Sequence, residues 1–246
     1  MATAQFNALV EQVTNLGKIV LGYVQVISTL AVNLPSVPWP GELTSAWEAV
    51  AVVNIDVFGA FSIDCFAAEV NFTHTFLTTI TYPVVFLALV AMVTWVRSCL
   101  VAGEADNEEE EDQQRDDVVT QGWKVGLFFL FVVYPSVSST VLRMWHCRPI
   151  EDKWYLYADY RVTCDGPWNT YAAIAGVAFV VYPLGVPLGF LYLLRSNQEA
   201  LHDENHPDFG RVSARFSFLY RGYEPQAWYW EVNRSASLKA WIVLIR

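Results

Sequence analysis

A chain of 246 residues that is 54% hydrophobic and only 16% charged falls well short of the roughly one-quarter charged residues of ordinary soluble domains. Composition therefore points to a membrane protein. The net charge of −10 does not contradict this, because residues 104–117, EADNEEEEDQQRDD, hold nine acids and one Arg and leave the rest nearly balanced. With no basic stripe anywhere, nucleic acid is excluded as a partner.

In chain order, the first apolar run is IVLGYVQVISTLAVNL, which follows Lys18 and stops at Pro35. Val70 to Val96 contains no Asp, Glu, Lys or Arg, and its centre reads TFLTTITYPVVFLALVAMVTWV. Val125 to Leu142 is a third such run, and Pro167 to Leu194 a fourth, 28 residues long. A helix needs about 20 residues to cross the hydrocarbon core. These runs predict membrane helices over about 18–34, 74–97, 123–145 and 168–195. A fifth, over 236–246, ends in AWIVLI at Arg246 and is too short to span, so it is expected to be incomplete. The predicted fold is an all-α polytopic membrane bundle, with the lipid bilayer as its principal partner.

Lys and Arg are absent between Lys18 and Arg97, an interval of 78 residues. The positive-inside rule puts the loop inside that interval outside the cytosol. Arg97, Arg115 and Lys124 then lie on the cytosolic side with the acidic block, which is read as a solvated loop over 104–117. Residues 146–166, strung between two apolar runs, become an outer loop. An oxidising compartment permits disulfides, so Cys147 and Cys164 are expected to be bonded, two free thiols being the alternative. Cys99 is expected to remain a thiol.

In the first outer loop, Asp56 and Asp64 divide an apolar stretch into pieces too short to span. They are candidates for a cation vestibule, with solvent-facing carboxylates as the plain alternative. Asn71-Phe72-Thr73 is a glycosylation sequon on the same side. Pro83, Pro135, Pro183 and Pro187 interrupt three spans, and Pro183, Gly185 and Pro187 form a candidate hinge. The aromatic and Arg-rich stretch 216–235 is a candidate interfacial lever.

Enzyme chemistry finds no support. His202 and His206 are four apart, but Pro207 disfavours helix at His206 and no Glu follows His202. There is no Gly-rich phosphate loop, nucleophile elbow or Cys-x-x-Cys pair. The long spans carry no charge for a proton relay. No cofactor and no metal are expected.

The phrases VPWP, NIDVFGAFSIDC, VVYPSVSSTVLRMWHCRPI, YLYADYRVTCDG, VVYPLGVPLGFLYLLR and FLYRGYEPQAWYWEV together resemble a known region. It is the multi-pass C-terminal region of large protist and algal Cys-rich surface proteins, which carries the label TRP-like (transient receptor potential) channel domain. The resemblance runs from Lys18 onward. It implies a fragment of a plasma-membrane cation channel, acting as a sensing or scaffold bundle, with pore spans beyond Arg246 and a homo-oligomeric assembly. A non-conducting anchor for a receptor or adhesion protein is the alternative.

Overall fold

A computed structural model describes residues 71–101, 108–203 and 205–220, together with 16–17, 20, 22–24, 40–43 and 45. The chain divides into two units, one of residues 1–62 and 237–246 and one of 63–236. The architecture that follows belongs to the second. Most of the expected first span, the whole incomplete fifth and Asp56 and Asp64 lie outside the described residues. The described residues 20 and 22–24 of the first span are helical.

Among the described residues, three helices are long and apolar enough to cross a membrane. Helix α1 is Phe72–Val101. Its 30 residues extend about 45 Å, enough for the hydrocarbon core with some tilt. In lipid the backbone polar groups must be satisfied within the segment, and α1 extends this to its hydroxyls. Thr78, Thr81, Thr94 and Ser98 each donate to a carbonyl one turn back, at 2.7–3.1 Å. Asn71 caps the helix, its side-chain oxygen accepting from the Thr73 N–H at 3.1 Å.

Helix α2 is Glu108–Arg143. This corrects the reading of 104–117 as a loop, since residues 108–117 form the first turns of a membrane helix. The physical reasons are local. Glu, Gln and Arg are good helix formers, acids favour a helix N-terminus, and Glu111 reaches Arg115 one turn on at 3.6 Å. α2 runs antiparallel to α1, and Phe129 stacks on Phe86 with ring centroids 3.8 Å apart.

The expectation of an all-α fold also needs correcting. The segment 146–166, expected as an outer loop, folds as a three-stranded antiparallel sheet, β1 (Cys147–Ile150), β2 (Lys153–Leu156) and β3 (Asp159–Thr163), in the order β1-β2-β3. Ile, Trp, Tyr, Val and Thr favour a pleated surface, and two-residue turns at Glu151–Asp152 and Tyr157–Ala158 connect the strands. Glu151 has a φ of +53°, a turn conformation that Asn or Gly adopts more readily. The buried Leu156 anchors the sheet in a core with Phe72, Phe76, Val137, Val141 and Met144.

The third membrane helix spans Trp168–Ser196. It comprises α3 (Trp168–Phe179), a π-helical turn at Val180–Leu184, and α4 (Gly185–Ser196). Two short helices follow, α5 (Gln198–His202) and α6 (Phe209–Tyr220). Val212, Phe216 and Leu219 of α6 are buried at spacings of four and three, the stripe of an amphipathic helix. They pack with Leu127, Phe190 and Leu194 in a second core at the end opposite the sheet.

Candidate functional site

The irregular part of the bundle is the middle of the third membrane helix. Pro183 sits inside the π turn, and proline has no N–H to give to the preceding turn. Pro187, four residues on, removes the donor that Pro183 O would have in an α-helix. That carbonyl is taken up by a neighbouring helix, since Tyr134 Oη of α2 donates to Pro183 O at 3.3 Å. This is the general way a membrane helix tolerates proline. Gly185 has its own reason: a Cβ there would lie 3.0 Å from Val180 O. A second tie comes from Tyr182 Oη, which donates to Ile80 O of α1. The three residues expected to form a hinge thus lie in the π turn and the first turn of α4, tied to both neighbours by tyrosine hydroxyls, that of Tyr134 reaching in from α2 and that of Tyr182 reaching out to α1.

This bonding pattern makes a non-additive prediction. Tyr134→Phe leaves Pro183 O without that donor and should cost about 1 kcal/mol of stability, a usual figure for a membrane hydrogen bond. Pro187→Ala returns an N–H in α-helical register with Pro183 O. In that background Tyr134→Phe should cost close to nothing. Equal cost in both backgrounds, from unfolding in mixed micelles, would refute the assignment.

Both ends of the bundle are pinned. At the sheet end, Asp159 Oδ2 accepts from the Phe72 N–H at 3.0 Å, so a strand residue supplies a cap to α1. The same carboxylate receives Arg161 Nε and Nη2, both at 2.9 Å, and Arg143 lies 5.3 Å over the Phe72 ring. Trp168 Nε1 donates to Met144 O at 3.1 Å and Trp145 Nε1 to Ala172 O at 3.2 Å, which joins α2 to α3. At the opposite end Asp116 of α2 holds Arg211 and Arg215 of α6, at 2.5 and 3.1 Å. Arg215 Nε adds Thr120 Oγ1 at 3.3 Å, and Trp123 meets Phe216 edge to face at 5.9 Å.

Burial by itself would raise the Asp159 carboxyl. Hydrogen bonds from the Arg161 side chain and the Arg161 and Phe72 N–H groups, with the Arg161 charge, outweigh it and hold the group below its ordinary value. A depressed carboxyl stabilises the fold above its unfolded value of about 4, and that contribution disappears as pH falls through the lower folded value. Acid should therefore loosen the sheet from α1. The check is Phe72 amide exchange between about pH 5 and 2.5, with Asp159→Asn as the variant that lacks this pH dependence. An identical profile in the variant would exclude Asp159 as the titrating group.

Cys147 and Cys164 are bonded, with Cα atoms 6.4 Å apart, and Cys99 is an exposed free thiol. Asn71, the sequon residue, is half-exposed and caps α1, and its partner Thr73 is buried. His202 ends α5 and His206 falls in the turn that follows, so no single helix carries both. Of the lever expected over 216–235, residues 216–220 are the last turn of α6, and 221–235 lie outside the described residues. Among the described residues no three His, Cys, Asp or Glu side chains converge as a metal site.

One further feature went unread in the sequence. Gly122-Trp-Lys-Val-Gly126 places two glycines four apart on α2, the spacing that lets membrane helices approach closely. A Cβ at Gly122 would fall 2.5 Å from Thr94 Oγ1 of α1, and one at Gly126 would meet Leu87 Cδ2 at 3.5 Å.

No family model matches the chain, and no solved structure matches it. It is similar to a curated protein of Toxoplasma gondii named Cysteine repeat modular protein A. The two are 26% identical over 113 residues, which take in 42% of this chain and 3% of the Toxoplasma protein. The chain thus spans a small fraction of the length of the curated relative it matches.

Proposed function

We propose that this chain is the sensing or scaffold bundle of a TRP-like cation channel in the plasma membrane, with four complete spans and part of a fifth. In this reading the sheet lies outside the cell, and α5, α6 and the acidic start of α2 lie in the cytosol. The observation that supports it best is the prolyl hinge. A helix of bare anchoring function has no need of a π turn tied by tyrosine hydroxyls to both neighbouring helices, whereas a helix that bends in response to a load at either end does. In this reading the spans, whose cores carry no charge, do not themselves pass ions, and that role falls to further spans of a longer protein arranged as a homo-oligomer around an axis.

The alternative, a non-conducting anchor for a receptor or adhesion protein, draws on the Toxoplasma relative, whose name speaks of cysteine repeats and modularity. Planar-bilayer recording discriminates. Residues 1–246 should pass no current, while the longer protein that contains them should pass cations. Current from residues 1–246 alone would end the division of labour, and silence from the longer protein under varied stimuli would establish the anchor.

A further inference from the structure

Where α1 and α2 meet at Gly122, they leave an open groove of about 260 Å³ between them. Leu89, Val90, Val93 and Val125 are among its lining residues, and Arg97 and Gln121 close it toward the acidic start of α2. The stretch from Leu89 to Arg97 runs about 12 Å along the helix axis. The one hydroxyl beside Gly122, on Thr94, is already committed to Val90 O at 2.7 Å. The groove is therefore apolar along its length and cationic at one end.

Its height in the bilayer follows from the sequence. Arg97 is the first charged residue after the uncharged run 70–96, so it stands where hydrocarbon gives way to headgroups. Trp95 and Trp123, both exposed, sit beside it as interfacial aromatics do. Arg115, Arg161, Arg211 and Arg215 each pair with a carboxylate. Arg97 does not, among the described residues, and its hydrogen bond to Gln121 Oε1 is a long one, at 3.5 Å.

We propose that this groove binds a membrane glycerophospholipid, with one acyl chain along the valine and leucine wall and its phosphate on Arg97. A guanidinium presents several donors in a fork suited to phosphate oxygens, and Gln121 orients that fork. A protein helix is the poorer occupant, since filling the groove with one would bury the guanidinium without a counter-charge. The proposal is independent of whether the longer protein conducts.

The test uses the full 246-residue chain in a phosphate-free alkyl maltoside micelle. It is exposed either to a phosphatidylcholine with a photoactivatable acyl chain or to the matching diacylglycerol, and labelled peptides are quantified. The internal reference is the exposed apolar surface at Val177, Val180, Val181 and Leu188 of the third membrane helix. Labelling at 89–97 and 118–125 should exceed the reference with phosphatidylcholine, and the phospholipid should outdo diacylglycerol about tenfold, the worth of a charge-assisted contact. Arg97→Gln should erase the preference for phosphate. Val93→Trp should block the groove from its exposed side without touching Gly122, which keeps the test open if larger residues at Gly122 fail to fold. Equal labelling of groove and reference would overturn the proposal. So would equal labelling by the two lipids, or a groove that is not labelled because protein covers it.

Discussion

Gly122→Ala should destabilise the bundle, and Gly126→Ala, on the same face one turn away, should stabilise it. Alanine in a helix is favoured over glycine by about 1 kcal/mol, so both substitutions start with a gain. At Gly126 the new Cβ meets Leu87 Cδ2 at 3.5 Å, an ordinary contact, and the gain survives. At Gly122 the new Cβ falls 2.5 Å from Thr94 Oγ1 and 3.1 Å from its Cγ2. Thr94 cannot turn away cheaply, because its hydroxyl would lose Val90 O in an apolar setting. Overpacking of this kind costs about 1–3 kcal/mol, which exceeds the propensity gain. Gly122→Leu, with more atoms to place, should separate α1 from α2 altogether. Thr94→Ala should rescue much of Gly122→Ala, because it removes two of the three nearest atoms. Unfolding in mixed micelles gives the four values. Two stabilising alanines would show that the helices do not touch at Gly122.

The second large effect is at the disulfide. A crosslink that closes a loop of this length contributes about 3 kcal/mol in the chain-entropy model. A sheet of three short strands has little else to hold it, since so small a sheet is marginal without packing. Replacing both cysteines with serine should raise exchange at two amides that close the sheet. These are Tyr157 N–H on His146 O and Cys164 N–H on Trp154 O, each at 2.8 Å, the latter read in the variant from the serine amide at the same position. A loss of about 3 kcal/mol corresponds to about 150-fold faster exchange. Amides in the core of α2 should be unaffected, and reductant on the unmodified chain should reproduce the variant. If the two amides exchange no faster, side-chain packing of Leu156 rather than the crosslink holds the sheet.

The membrane helices were legible because lipid imposes a single requirement, an uncharged stretch of sufficient length. The run expected at 168–195 is a helix over Trp168–Ser196, and that at 74–97 is one over Phe72–Val101. The same criterion misjudged α2. It stops where hydrocarbon stops, at Lys124, whereas the helix continues through Glu, Gln and Arg that are at home in water. The sheet was missed for a different reason. Its strands are four or five residues long and largely exposed, so no alternation of apolar and polar residues marks them. The cysteine pair was readable from placement at the two ends of one segment. The bonding of the proline-bearing turn was half readable: Pro187 identifies Pro183 O as an orphan, but nothing local names Tyr134, 49 residues away, as its donor. The Asp116 clamp on Arg211 and Arg215 was unreadable for the same reason, because Arg215 stands 99 residues from Asp116 in the sequence.

The placement of the disulfide also sets how the molecule carries mechanical force. Cys147 lies four residues beyond α2, and Cys164 four residues before α3. Tension that pulls these two helices apart travels through a covalent shortcut of two sulfur atoms, and the strands between them are left slack. Helix α1 has no such connection to the sheet, which it meets through Asp159 and the packing around Phe72. A steady pull on the sheet therefore keeps α2 and α3 in step and peels α1 away first. The sheet acts as a mechanical fuse, stiff along one edge and releasable along the other.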